Sequence, residues 1–583
     1  MKTYAVDFES YYKKRGECSL VHLGTPSYLR HPECDVYLVS IVGEDWEWCG
    51  HPDEAPWEKI KGERWLSHNK YFDALVYKHK GYKIEPGEWL CTANMCAALN
   101  MPRSLQYAVK EGFGEDISKG VRDQMSGKQW ADMTPEFQQD VIKYALDDSR
   151  WCLKLYQTFG DKWNPMERAI SEETIRMCSR GVPIDKKTLE AGVKHVGKIR
   201  EETTQALPWV FEGSKAKVLS PKALGIECEK VGITPPKSLA RPKPFAKEGN
   251  EASKWIEDNP KYPWVEQMQT IRRANTFEKK LAAMLRRTYR GWMPYDLKVY
   301  GGHLGRDSGD GGVNMQNLNK AEMMEVDMRG LLKAPKGYKF VNPDLSAIEP
   351  RVLAWLTEDQ DFLDMLAIYP DVYEAYGRSH NLYDYDDAMV DRDPVLRADI
   401  KVRVLGLNYG MGPDRFAAEN GLSLREAKKI VYAYREDNPK TIEYGKELER
   451  DLAIAARKRR AKHVIEFPGG STIIYVRPKK HGDLSAETMR DGRLIRGKLY
   501  SGLLIENACQ HFARQIFMHG VLEMNKKKIF PLLRTHDEVL NLAKTKDAPR
   551  ILDETIECMT MVPTWAEGMV IAAEGKILDQ YQK

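Results

Sequence analysis

Near its C-terminus the chain reads Leu533-Arg534-Thr535-His536-Asp537-Glu538-Val539-Leu540. Two carboxylates at a bend between apolar residues are costly to hold without a cation or a firm set of donors. Far upstream, a second apolar stretch carries Asp344-Leu345-Ser346-Ala347-Ile348-Glu349-Pro350-Arg351. If the fold brings Asp344 and Asp537 together, they can clamp two divalent metals for an in-line phosphoryl displacement.

A second acidic set opens the chain. Asp7-Phe8-Glu9 ends a predicted strand, which puts Val6 and Phe8 on one face and both carboxylates on the other. Ser67-His68-Asn69-Lys70-Tyr71-Phe72-Asp73 and Tyr144-Ala145-Leu146-Asp147-Asp148 follow. On a helix Tyr144 and Asp148 stand at i and i+4 and share a face. Four carboxylates and a tyrosine can hold two metals, one activating a water and one stabilising a leaving oxygen. Each segment alone is commonplace; the three in this order resemble the DEDD 3′–5′ exonucleases of the tyrosine subgroup. The resemblance covers about the first 155 residues and implies a ribonuclease-H-like fold. It also implies Asp7, Glu9, Asp73 and Asp148 as metal ligands and Tyr144 as the group that orients the attacking water.

From about Gly181 onward the motifs resemble family A DNA polymerases. The Asp344 string resembles that family's motif A, which implies Asp344 and the Leu345 carbonyl as metal contacts and Glu349 as a steric gate against a ribose 2′-OH. Pro350 departs from the family pattern and is benign if it is the first helical residue. Arg397-Ala398-Asp399-Ile400-Lys401-Val402-Arg403-Val404-Leu405-Gly406-Leu407-Asn408-Tyr409-Gly410 resembles the O helix. Arg397, Lys401 and Leu405 share one helix face, where two cations can grip a triphosphate. The resemblance places Tyr409 near the template base. Leu405 stands where the family usually has Phe or Tyr, which leaves tolerance of chain-terminating nucleotides open. His536-Asp537-Glu538 resembles motif C, with Asp537 the second metal-binding aspartate and Glu538 beside it in the catalytic set. Weaker resemblances make Arg306 and Gln316 minor-groove contacts, which suits sequence-independent binding, and Gln510 a further contact to the duplex.

The elements that must position these groups are legible in outline. The 583 residues exceed one core, and 42% hydrophobic with 30% charged residues excludes a disordered chain. No apolar run is long enough to span a bilayer and no signal peptide opens the chain, so a cytoplasmic location is expected, that of the host cell if the gene is a phage's. The ten cysteines form no CxxC pair and read as free thiols. Net charge is only +4, so clusters count for more than the total. Arg272-Arg273, Lys279-Lys280 and Arg286-Arg287 fall on a predicted basic helix from Thr270 to Tyr289, and Arg457–Arg460 with Lys462 forms another cluster; both suit DNA phosphates. Val36–Val42 reads as a strand. A helix in 165–185 stops at Gly181 and Pro183, and the Pro- and Lys-rich stretch from Lys215 to Lys261 reads as a loop or mobile subdomain.

These readings give an α/β multidomain chain: a ribonuclease-H-like exonuclease domain (1–160), a connecting and thumb region (161–300), then palm and fingers (301–583, fingers about 365–480). The expected activity is DNA synthesis with 3′–5′ proofreading, using a pair of Mg²⁺ ions per site with Mn²⁺ as substitute. Expected partners are primer-template DNA, dNTPs and a single-stranded 3′ end, with the chain a monomer and replisome partners undefined. The chain starts directly on the exonuclease strand, so no 5′-nuclease domain is expected and the architecture is phage-like. A single-subunit RNA polymerase, a nuclease with a DNA-gripping C-terminal half and a non-enzymatic DNA-binding protein are the alternatives. Glu349 and the N-terminal set weigh against the first, Asp344, Asp537 and Lys401 together against the second, and the number of acidic positions matched in order against the third.

Overall fold

The computed structural model describes residues 1–14, 16–118, 120–236, 251–490 and 493–582. They form two compact units. The larger comprises Met1–Gly181, Pro294–Asn317 and Ala334–Asp579, the smaller Val182–Met293, Leu318–Lys333 and Gln580–Lys583.

The larger unit opens on β1 (Thr3–Ser10), β2 (Val36–Val42), β3 (Glu47–Gly50), β4 (Arg64–Ser67) and β5 (Glu88–Cys91), arranged β3-β2-β1-β4-β5. β1 runs antiparallel to β2 and parallel to β4, the mixed sheet expected of a ribonuclease-H-like domain. Val6 and Phe8 enter an aromatic core with Tyr28, Trp57 and Trp65, while Ala5 enters a second core with Leu66, Leu90 and Leu153. With both faces covered, β2 is buried at every position. After β4, Asn69 takes a left-handed conformation (φ 92°) and turns the chain into α1 (Lys70–His79). α2 (Pro135–Phe159) starts where Thr134 accepts the Phe137 N–H and Pro135 takes the first turn. Ser40, paired with Asp7 across β1 and β2, donates to the Ala145 carbonyl at 2.9 Å and meets Ser149 at 2.7 Å, which sets α2 over the sheet.

α3 (Pro165–Arg180) is capped by Asn164 and stops at Gly181, as its Gly and Pro signals predict. Its buried Glu167 accepts from Arg514 and, at 3.0 Å, from Gln515; Asn525 donates to Glu173 at 3.0 Å and Arg534 to Thr174 at 2.7 Å.

In the smaller unit, α4 (Lys186–Gln205) packs along α5 (Trp264–Arg287). α5 starts earlier than Thr270. Arg273 and Lys279 are exposed, but Arg287 is 3% exposed and donates to the Ala283 carbonyl at 3.2 Å. It falls on the Leu281/Met284 face, so the Arg286-Arg287 pair is split and Arg287 is not available to phosphate. The Pro- and Lys-rich stretch is not simply a loop. Helices Pro221–Lys230 and Glu251–Asp258 bury Leu224, Cys228 and Trp255 with Trp209 and Met268. Ser220 caps the first of these helices and a few large side chains supply its core, which the surrounding prolines and lysines masked. Lys237 and Arg241-Pro242-Lys243-Pro244 lie outside the described residues.

The larger unit resumes with β6 (Tyr338–Leu345), α6 (Ile348–Leu356) and α7 (Pro394–Leu407). A four-stranded antiparallel meander follows: β7 (Lys462–Glu466), β8 (Thr472–His481), β9 (Asp483–Arg490) and β10 (Arg493–Leu499). α8 (Ser501–Lys526), β11 (Leu533–Thr535), β12 (Glu538–Lys544) and β13 (Ala573–Leu578) complete it, in a sheet ordered β11-β12-β6-β13. α8 is buried along most of its length; Phe512 stacks on Trp355 at 5.0 Å and packs with Val352 and Leu353 of α6. A Cβ at Gly502 would lie 2.1 Å from the Tyr409 carbonyl oxygen, so only glycine allows α8 to begin against that segment. Among the described residues no helix is long and apolar enough to cross a membrane.

His511 of α8 is fully buried and donates from Nδ1 to the Leu304 carbonyl at 3.1 Å. Burial pushes its pKa down to about 3, and burial with Arg490 pushes that of His303 down to about 4. The unfolded chain takes up these protons near pH 6.5 while the folded chain does not. The contribution of these two histidines is therefore full above about pH 6.5 and falls on acidification, by at most ~1.4 kcal/mol per pH unit per histidine. Urea unfolding at a series of pH values between neutrality and about 5 is expected to show this loss, with His511→Asn, which keeps a donor but cannot titrate, flattening about half of it.

Candidate active sites

The N-terminal carboxylates line one cleft of about 560 Å³, shared by Asp7, Glu9, Asp73, Asp148 and Tyr144. β1 supplies the first two, α1 the third and α2 the last two. Asp73, 2% exposed, accepts the Phe8 N–H at 3.1 Å, which seats it beside β1. Burial, and then the Asp7 charge, hold the Asp73 carboxyl well above the usual carboxylate range. Burial and Asp7 do the same to Glu9, against the pull of Arg122. An all-oxygen donor set whose members repel one another fits hard divalent cations, which would relieve that repulsion. Burial, then Glu9 and Asp148, raise the Tyr144 phenol, so it stays protonated at neutral pH.

Sequence reasoning missed the basic members of this cleft. Arg122, from the helix Gly120–Met125, reaches into it; burial lowers its pKa, but Tyr144 and Glu9 outweigh that. His68, Asn69 and Arg103 also line it, and His68 donates to the Arg103 carbonyl at 2.6 Å. None of them sits in a spacing pattern. His68 and Asn69 were visible only as neighbours of Asp73.

In the C-terminal half, register brings the two predicted aspartates together. β6 lies between β12 and β13, Asp344 pairs directly with Glu538, and the Leu345 N–H donates to the Asp537 carbonyl at 3.1 Å. A two-residue turn, His536-Asp537, joins β11 to β12 with His536 in the left-handed region (φ 53°). Glu538 is buried and its carboxylate accepts from the Thr535 hydroxyl at 2.7 Å, an interaction that fixes the hairpin. Pro350 is the third residue of α6 rather than the first, since the helix starts at Ile348 behind a left-handed Ala347 (φ 47°). It remains benign there because its missing N–H is one of the four a helix start leaves unbonded. Arg351 is fully buried and donates to the Ser346, Val570 and Pro370 carbonyls; burial lowers its pKa to about 10.

Glu349 is held from two sides, by Arg306 Nη2 at 2.9 Å and by the Tyr409 hydroxyl at 2.7 Å. Tyr409 lies just beyond α7, and burial, then Cys509 and Glu349, raise its phenol. Gln510 donates to Glu506 at 3.0 Å, and Gln316 to the Arg534 carbonyl at 2.6 Å. On α7, Lys401 and Leu405 are exposed, while Arg397 sets Nε and Nη2 on Asp371 at 2.8 and 2.5 Å. The Tyr373 ring lies under both cations, 5.1 Å from Arg397 and 5.7 Å from Lys401. Asp371 also caps the helix Val372–Ser379 through the Tyr373 and Glu374 N–H groups. Asp371 and Tyr373 were not singled out in the sequence; an Asp before a helical run is a cap signal, but its second partner is set by the fold.

Residues 188–461 match the model of DNA polymerase family A. The chain is 26% identical over 275 residues to the DNA polymerase of Bacillus phage SP02, covering 42% of each. It is 24% identical over 466 residues to DNA polymerase I of Aquifex aeolicus, covering 75% of this chain and 73% of that protein. The matched region spans less than half the length of the SP02 protein and 36% of the thermostable DNA polymerase I of Thermus filiformis. The fold matches the POL domain of Pol1 from M. smegmatis in complex with DNA primer-template and dNTP, with TM-score 0.67 and 14% identity over 99% of this chain and 95% of that one. The chain is thus similar to DNA polymerases of family A, most directly over residues 188–461.

Proposed function

We propose that the chain is a template-directed DNA polymerase with 3′–5′ proofreading, divided into an exonuclease domain (1–160), a connecting and thumb region (161–300) and palm and fingers (301–583). The observation that carries the synthetic half is the Leu345 N–H on the Asp537 carbonyl with Asp344 in register beside it. In this reading Asp344, Asp537 and the Leu345 carbonyl hold one metal centre, and Asp7, Glu9, Asp73 and Asp148 hold the other. When bound, pairs of Mg²⁺ or Mn²⁺ ions would activate the attacking oxygen and neutralise charge on the leaving group. Exposed Lys401 offers its ammonium to the triphosphate. Arg397, oriented by Asp371 and Tyr373, adds a second cation on the same helix face. Leu405 leaves an aliphatic surface against the sugar. Arg306, Gln316 and Gln510 contact the primer duplex, and Arg272, Arg273, Lys279 and Lys280 its phosphates, so binding weakens steeply with salt. In the exonuclease cleft the neutral Tyr144 phenol orients a water by hydrogen bonding and does not act as a base.

Glu349, fixed by Arg306 and Tyr409, presents a preorganised wall to a 2′-OH. Glu349→Ala is expected to raise the rNTP-to-dNTP incorporation ratio roughly 10²-fold, and Tyr409→Phe to raise it less, as read by single-nucleotide extension.

The proposed substrates are primer-template DNA, dNTPs and a frayed single-stranded 3′ end, handled by a monomer of phage type acting in the host cytoplasm. The test is a 5′-labelled primer on a longer template with Mg²⁺, run with dNTPs, with rNTPs and with no nucleotide. Extension by dNTPs with shortening in the nucleotide-free lane supports the proposal. Shortening alone removes the synthetic half, and extension by rNTPs removes the gate assigned to Glu349.

A further inference from the structure

The connection between β1 and β2, residues 11–35, carries two short helices, Leu20–Leu23 and Thr25–Leu29. Its ends are tied by the Tyr11 N–H on the Asp35 carbonyl, and nearer its start the Lys13 N–H donates to the Cys18 carbonyl, both at 2.8 Å. Inside it, Cys18, His31 and Glu33 each bring a ligand atom to within 4.8 Å of the other two, the one such group of three among the described residues. We propose that these three side chains form a zinc-type metal site, separate from the carboxylate centres.

The donor chemistry sets the class of ion. One thiolate, one imidazole and one carboxylate make an N/O/S set that suits Zn²⁺, whereas Mg²⁺ takes oxygen ligands. Cys18 is fully buried, His31 half-buried and Glu33 exposed, so an ion enters from the solvent side over Glu33 and closes onto the sulfur. Binding releases the Cys18 thiol proton to solvent. The Glu33 N–H to His31 Nδ1 contact, 3.2 Å and exposed, gives way as a ring nitrogen takes the metal. Cys18 has no second cysteine two to four residues away and His31 no second histidine at zinc spacing, so the sequence shows no zinc motif; the fold makes the neighbourhood.

The position gives the site its use. Tyr12, Lys14, Ser19, Leu20 and Val21, all in this connection, line the carboxylate cleft. An ion joining Cys18 to His31 and Glu33 cross-links the start of this excursion to its end, and closing a loop with little regular structure lowers the entropy it must lose. The metal would therefore hold one wall of the cleft in shape without touching the reacting atoms.

The full chain, stripped with chelator, is titrated with Co²⁺. A thiolate-to-cobalt charge-transfer absorption is expected to rise to about one equivalent per chain, to be displaced by Zn²⁺ and to resist excess Mg²⁺. Cys18→Ser should abolish the band, and His31→Ala or Glu33→Gln should weaken cobalt binding at least ~10-fold. Absence of the band overturns the site, as does a band that survives Cys18→Ser, which would point to another thiol such as Cys152 in the cleft wall. If Cys18→Ser does not fold, Glu33→Gln at its exposed position decides, and unchanged cobalt affinity in that variant refutes the site.

Discussion

Asp344→Ala is expected to reduce primer extension roughly 10³-fold or more, a loss of ~4 kcal/mol of transition-state stabilisation, while leaving 3′ shortening intact. The side chain stands on an interior strand, paired with Glu538 and one residue from the N–H that binds the Asp537 carbonyl. Removing it takes a metal-holding carboxylate from the proposed centre and leaves the backbone pairing untouched. The fold should survive, because β6 keeps its backbone pairing with β12 and β13. Single-turnover extension and nucleotide-free degradation, measured on the same preparation, check the split. Loss of both activities in a folded variant would remove the two-site assignment.

Asp7→Ala is expected to do the reverse, lowering 3′ shortening by a similar ~10³-fold and sparing extension. It has a second consequence that a loss of folding could not imitate. Asp7 is the leading charge acting on both Glu9 and Asp73, whose carboxyls the fold holds above their ordinary range. Carboxyls raised in the folded state bind more protons there than in the unfolded chain, so stability falls as pH rises from the ordinary carboxylate range through the raised values. In chelator at neutral pH, Asp7→Ala removes part of that repulsion and should raise the thermal midpoint. Added Mg²⁺ should stabilise the parent chain more than the variant. A variant that is inactive and also less stable in chelator would contradict this account.

Much of the scaffold was legible because periodicity and punctuation are local. The Asp7/Glu9 strand, the Tyr144/Asp148 helix and the Asn164–Gly181 helix follow from alternation, i,i+4 spacing and caps, each of which is set within a few residues. The acidic residues were legible for a related reason, since charges in apolar runs stand out one by one. What the sequence hid is what depends on tertiary packing. The partners of Glu349 are Arg306 and Tyr409, distant on either side, and the partner of Arg397 is an Asp that reads locally as a helix cap. Arg122 has no pattern at all. The Lys215–Lys261 stretch misled because composition was averaged over a region whose few large apolar side chains, Leu224 and Trp255 among them, do the folding. Arg287 misled because a run of basic residues on a helix need not share one face.

The joint made by α3 bears on how the two proposed chemistries could be coupled. Glu167 is buried against Arg514 and Gln515, Glu173 receives Asn525, and Thr174 meets Arg534 next to the motif that carries Asp537. Parting α3 from α8 would strand a charge in the interior, which costs several kcal/mol for each such pair. Opening a hinge there is thus costly. In the proposed reading, the choice between adding and removing a nucleotide would then be a property of the DNA, decided by how readily its last pairs melt and how far the freed strand reaches.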